Sequence, residues 1–205
     1  NWQLNEGERW LLQGPNGSGK STLLSLLNGD HPQAYANEIY LFGKKRGSGE
    51  SIWDIKEKIG IISPELHWYY DLNANVAQTI ASGFFDSMSL YQKLSFEQQQ
   101  KLEQILLFFD LKEDKNKKLN TLSLGKQRLA LLARTIVKNP ELLILDEPCQ
   151  GLDVQQTKYF NRVVDDLCKS GHTLIYVGHF ESQLPESLSH KLILEKGEIK
   201  NEKFQ

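Results

Sequence analysis

The chain has 205 residues, 40% of them hydrophobic, enough for one compact domain with a buried core. A formal net charge of −2 offers no basic field to attract nucleic acid or an anionic membrane surface. Cys149 and Cys168 make neither a disulfide framework nor a metal-ligand spacing, which points to a reducing cytoplasm. No apolar run is long enough to span a bilayer, so a membrane role requires a separate partner.

In chain order, Glu6-Gly7-Glu8 reads as a turn between two strands, the first of them mostly missing, as in a domain taken from a longer polypeptide. Arg9 to Gln13 reads as a short apolar strand. It runs into Gly14-Pro15-Asn16-Gly17-Ser18-Gly19-Lys20-Ser21-Thr22, which fills every fixed position of the phosphate-loop pattern G-x-x-x-x-G-K-[ST]. Ser21 to Asn28 then carries the leucines of a buried helix (Leu23, Leu24, Leu26, Leu27), with Gly29 as its stop and Pro32 beyond. Glycines let successive backbone N–H groups converge on a phosphate, and the helix N-terminus adds partial positive charge. Lys20 is placed to reach the terminal phosphates and the Ser21 hydroxyl to ligate magnesium. The chain therefore binds a nucleoside triphosphate on this reading.

Ile39 to Phe42 predicts a strand, and the basic turn from Gly43 to Gly49 a solvated hairpin tip. Ile52, Ile55 and Ile59 have helical spacing, and Ile59 to Ser63 is a second apolar strand stopped by Pro64. From about 71 to 137 the pattern turns helical, without a strong strand. Val76, Ile80 and Phe84 form one stripe. Ser95 with Gln98 makes a capping box for a helix reaching about Asp110, with Leu102, Ile105, Leu106 and Phe109 on its apolar face. Lys112 to Lys118 reads as a solvated charged connector, and Leu124 to Val137 as a helix ended by Asn139-Pro140. Leu142 to Leu145 and Thr173 to Val177 are continuous apolar runs suited to parallel strands buried on both faces, separated by a helix over Gln155 to Lys169. Leu192 to Ile199 reads as a hairpin. The fold class predicted is α/β: one domain over 1–205 with a parallel-sheet core and a helical subdomain, about 71–137, inserted in it.

Leu145-Asp146-Glu147-Pro148 closes a buried strand at its C-terminal end, where open α/β sheets bind ligands. Asp146 suits the magnesium shell, and Glu147 suits a general base that orients and deprotonates the attacking water. Gly151-Leu152-Asp153 is a tight turn. His179 follows the next central strand, beside the expected terminal phosphate.

With Leu122-Ser123-Leu124-Gly125-Lys126-Gln127-Arg128, which is similar to the LSGGQ signature and its continuation, these motifs stand in the order of the ATP-binding-cassette (ABC) ATPases, and the chain resembles that family over nearly its whole length. Ser63 to His67, Ser82 to Ser87 and Asp146 to Asp153 further resemble its ModF-type branch, the molybdate-transport and photorepair ATP-binding proteins. The resemblance implies a P-loop NTPase three-layer core with a small antiparallel β subdomain, ATP and Mg2+ as cofactors, and ATP hydrolysis. It implies a head-to-tail pair, as homodimer or tandem domains, in which Ser123 and the Gly125 backbone bind the γ-phosphate of the opposite site. Asp153 would lie at the seam and His179 would hold the γ-phosphate. The implied partner is a transport permease, which would place the protein at the inner face of the cell membrane. The alternative is a regulatory or nucleic-acid-associated ATP switch with no permease, for which the sequence offers no basic stripe.

The chain also departs from the family pattern. Pro64 stands where many members carry a metal-contacting glutamine, and the next residue, Glu65, is either a metal ligand or a loop carboxylate. Leu124 replaces a signature glycine, and Lys126 replaces its glutamine and adds positive charge near the opposite phosphate. Trp2 is either a substitute adenine platform or a core residue. Trp68, Tyr69, Tyr70, Phe84, Phe85 and Tyr91 either form a docking patch for the permease or fill the core.

Overall fold

A computed structural model describes residues 2–29, 31, 38–64, 71, 73–87, 89–90, 92–178 and 183–203. Its main sheet has six strands: β1 (Arg9–Gln13), β4 (Ile59–Ile62), β5 (Leu142–Asp146), β6 (Thr173–Val177), β7 (His190–Glu195) and β8 (Glu198–Lys203). Their spatial order is β4-β5-β6-β1-β7-β8, parallel throughout except for the β7–β8 hairpin. A separate antiparallel pair joins β2 (Tyr40–Leu41) to β3 (Lys44–Lys45). The helices are α1 (Lys20–Leu27), α2 (Ile52–Lys58), α3 (Val76–Ser82), α4 (Phe96–Phe108), α5 (Leu124–Ile136) and α6 (Val154–Lys169).

Alternation along the strands divides the core in two. Leu11, Leu143, Leu145, Leu174 and Tyr176 point to the face covered by α3, α4, α5 and α6. Trp10, Leu12, Leu142, Ile144, Ile175 and Val177 point to the other, where α1, α2 and β2 pack. Strands buried on both faces explain the unbroken apolar runs. Between β4 and β5 the described residues hold three α-helices and three short 3-10 turns, and their one strand-like contact is a bridge between Asn75 and Lys118.

Two segments differ from the sequence expectation. The basic turn is not wholly solvated: Lys44 and Lys45 form β3, while Arg46 is buried and its Nη1 lies 3.3 Å from Glu50 Oε1. The segment from Lys112 to Lys118 is exposed as expected at Lys112, Glu113 and Asn116 to Lys118, and departs from a solvated connector at Asp114. Asp114 is buried and takes ion pairs from Lys117 (2.7 Å) and Lys126, and the carbonyls of Lys115 and Lys117 accept from the first residues of α3. A buried carboxylate needs such partners, and the lysines provide them.

Candidate nucleotide site

The strand order puts the C-terminal ends of β4, β5, β6 and β1 side by side, and those of β4, β5 and β1 carry residues that line the cleft. The phosphate loop follows β1, Ser63-Pro64 follows β4, Asp146-Glu147 ends β5 and Gly178 follows β6. A cleft of about 490 Å³ opens between them, with Lys20, Ser21 and Thr22 on one wall and Ser63, Pro64, Asp146, Glu147 and Gln150 on the other.

The loop geometry explains its residues. Gly17 and Gly19 have φ of 76° and 104°, in the region that favours glycine. A Cβ at Gly14 would stand 2.3 Å from the Leu194 carbonyl oxygen and 2.6 Å from Ser18 Oγ, so the loop lies directly against β7. Ser18 is buried beneath the loop, and its carbonyl accepts from Gly197 N at 3.3 Å. The Lys20 ammonium donates to the carbonyls of Gly14 (2.7 Å) and Pro15 (3.1 Å), so it lies across the loop. Asn16, Gly17 and Gly19 line the cleft, and Ser21 and Thr22 expose their hydroxyl-bearing side chains at the start of α1.

On the facing wall, Glu147 adopts φ 45°, uncommon for a residue with a side chain, and its N–H donates to Val177 O at 3.2 Å. Such strain at a cleft residue is held by its surroundings and is characteristic of functional positions. Gln13 Nε2 donates to Gly178 O at 3.1 Å, tying the end of β6 to the root of the phosphate loop. His179 and Glu65 lie outside the described residues, as do Trp68, Tyr69, Tyr70 and Tyr91. Phe84 and Phe85 are half-buried, and Phe84 packs on the core.

Ser123, Gly125 and Asp153 do not line this cleft. Ser123 caps α5, its Oγ accepting from Lys126 N at 3.4 Å, and Asp153 caps α6, its Oδ1 accepting from Gln156 N at 2.8 Å. Gly125 is buried at the start of α5. The charge expected of Lys126 at the opposite phosphate is taken up by Asp114, whose carboxyl is held below the usual range by hydrogen bonds from Lys117 and Lys126. Trp2 is half-buried against the core. It packs edge-on against Trp10 at 5.6 Å, at the opposite end of β1 from the phosphate loop.

The sequence reading missed Ser63 and Gln150 as cleft residues. Gln150 follows the acidic pair in a tight turn whose N–H bonds to Glu147 O at 3.0 Å. Its signal was an amide side chain three residues past a strand-end carboxylate. Behind that turn sits a buried polar group. Cys149 Sγ lies 3.4 Å from Tyr176 Oη, and Tyr176 Oη donates to Asn161 Oδ1 at 3.1 Å. Burial pushes the Tyr176 phenol and the Cys149 thiol upward and lowers the nearby Arg128 guanidinium, so neither sulfur nor phenol is an acid or base near neutrality.

Comparison with known proteins agrees with this geometry. The family model described as "ABC transporter" matches residues 1–150. The chain is 49% identical over 193 residues to the ABC transporter ATP-binding protein ModF of Escherichia coli (strain K12), covering 93% of this chain and 39% of that protein. It thus spans about two fifths of that relative's length. Among solved structures, cbiO1 from Clostridium perfringens, part of the ABC transporter complex cbiONQ, superposes with a TM-score of 0.83 at 26% identity, covering 98% of this chain and 78% of that one. The ATP-binding cassette MJ0796, in a dimeric post-hydrolysis state with ADP and Pi, shares the fold with a TM-score of 0.78 at 22% identity, covering 100% and 89%. On its sequence, its sheet order and its phosphate loop, the chain belongs to the ATP-binding-cassette family of ABC transporter ATP-binding proteins.

Proposed function

We propose that the cleft binds Mg-ATP and that the chain hydrolyses it as one half of a head-to-tail pair of cassettes, driving a transport permease at the inner face of the cell membrane. The unit of function is one nucleotide-binding domain over 1–205, with 71–137 as its inserted helical subdomain. The observation that carries the reading is the cleft itself, which sets Lys20 and Ser21 opposite Asp146 and Glu147.

On binding, Lys20 exchanges the Gly14 and Pro15 carbonyls for phosphate oxygens, while the N–H groups of the loop and of the start of α1 cradle the phosphates. The donor set fits a hard divalent cation. The Ser21 hydroxyl and the Asp146 carboxylate share the cleft, and among the described residues no group of three or more His, Cys, Asp or Glu forms a metal site alone. The Ser21 hydroxyl and the Asp146 carboxylate would hold magnesium there, and the ion would supply charge neutralisation on the transferring phosphoryl group. Glu147 accepts the proton of the attacking water, and His179, which lies outside the described residues, would hold the terminal phosphate. Ser123, Gly125 and Asp153 lie outside their own chain's cleft, which supports their use on the nucleotide of a partner cassette.

The test is light scattering on Glu147→Gln protein with and without Mg-ATP. A doubling of mass with ATP, absent in a Lys20→Ala variant, is the expected result, because ATP bound across the seam stabilises the pair. A mass that stays monomeric at saturating ATP would reject the paired site.

A further inference from the structure

We propose that Leu124 and Gln156 are positioning residues that lock the start of α5 and the Gly151-Leu152-Asp153 turn into one rigid unit, so that both elements meet a second cassette together. The proposal rests on the paired-site reading above and adds what holds the two trans-acting elements in register.

The lock consists of two reciprocal contacts. A Cβ on Gly151 would lie 3.3 Å from Leu124 Cδ2, so a leucine methyl sits directly on the backbone of the turn. A Cβ on Gly125 would lie 3.1, 3.2 and 3.3 Å from Cγ, Cδ and Cβ of Gln156, so the glutamine stem covers the helix start. The bulky residue of each element faces the glycine of the other. Gly151 has φ +82°, where a side chain would be strained, which keeps that seat open for Leu124. Gln156 is also tied to the turn by hydrogen bonds, with Oε1 accepting from Asp153 N at 3.3 Å and its own N–H donating to Asp153 Oδ1 at 2.8 Å. Ser123 caps α5 one residue before Leu124. A chain of contacts therefore runs from Ser123 and Leu124 to Gly151, Asp153 and Gln156 and back to Gly125. Close-packed contacts of this kind shift between discrete arrangements rather than deforming smoothly, so the turn cannot swing without carrying the start of α5 with it.

The experiment is hydrogen exchange on the nucleotide-free chain, comparing wild type with Leu124→Ala, Gln156→Ala and the double variant. Amides of 124–127 and 150–153 should both lose protection, by roughly two- to thirtyfold, while those of β5 and β6 keep theirs. The double variant should show less than the product of the two single effects. Leu124→Met, which refills the seat, should restore protection. With Mg-ATP, Leu124→Ala should lower kcat with KM unchanged, and Leu124→Met should recover it. Protection at 150–153 that is unmoved in both single variants, or loss confined to 124–127, overturns the lock. The exchange arm needs no turnover, so a chain that fails to hydrolyse ATP would count against the proposed function and leave the lock to be decided by exchange.

Discussion

Gly14 shows how single atoms constrain the site. A methyl group there would meet a backbone carbonyl at 2.3 Å, and the Leu194 strand that carries it cannot give way. Gly14→Ala should therefore lower stability by roughly 1–3 kcal/mol and weaken nucleotide binding as well, measured by thermal melting and by titration with a fluorescent ATP analogue. Glu8 makes a second residue-level case. Burial alone would raise its pKa, but hydrogen bonds from Asn5 Nδ2 (2.9 Å), Asn5 N (3.0 Å) and Trp10 Nε1 (2.9 Å), with the charge of His190, carry it from 4.5 down to about 2. A depressed carboxylate contributes stability that is complete above pH 4.5 and is lost as pH falls through about 2. Unfolding free energies of wild type and Glu8→Gln from urea titration should differ by roughly 1–2 kcal/mol above that window, after allowance for the solvent at this half-buried group, and converge at its acid end. A gap that persists at low pH would contradict this.

Among the elements, the helix starts do much of the positioning. Capping boxes close α2 (Ser51 with Asp54), α3 (Asn75 with Gln78), α4 (Ser95 with Gln98) and α6 (Asp153 with Gln156). Asp153 thus holds its own helix before any partner arrives. Asp153→Ala should cost about 1 kcal/mol in chemical denaturation of the nucleotide-free chain, and Asp153→Asn much less, since asparagine caps nearly as well. Equal melting of all three proteins would confine Asp153 to the seam. The strands and helices were legible because their signals are local. The run Leu142 to Leu145, the Ser95 cap and the glycine stop at Gly29 each report a neighbourhood of a few residues. Pairings across the fold were not. Asp114 reads as one charge among several lysines until α5 brings Lys126 to it, and Arg46 reads as a surface cation although Glu50, four residues on, offered a partner. Gln150 reached the cleft by the course of a turn, and the packing of Leu124 on Gly151 joins residues far apart in sequence. The phosphate loop and the acidic pair were legible because close phosphate approach and strand-end chemistry restrict which residues serve there.

At the scale of the whole molecule, the strand order is what makes a site of these parts. Placing β4, β5, β6 and β1 side by side turns motifs scattered over the sequence into one cleft, and the two-sided core fixes the strand ends that form it. The elements expected to face a partner, at the starts of α5 and α6, lie outside that cleft and are braced on each other. A nucleotide that binds only the folded chain should also raise its melting temperature, by an amount set by concentration over Kd. The most direct test of the account is the rate of phosphate release from Mg-ATP by wild-type and Glu147→Gln protein at matched nucleotide occupancy. The account predicts that the wild type releases phosphate and that the variant slows by roughly 10²–10⁴ while its ATP affinity is kept. Equal release rates would contradict the assignment of Glu147 as the base, and with it the chemistry proposed for the cleft.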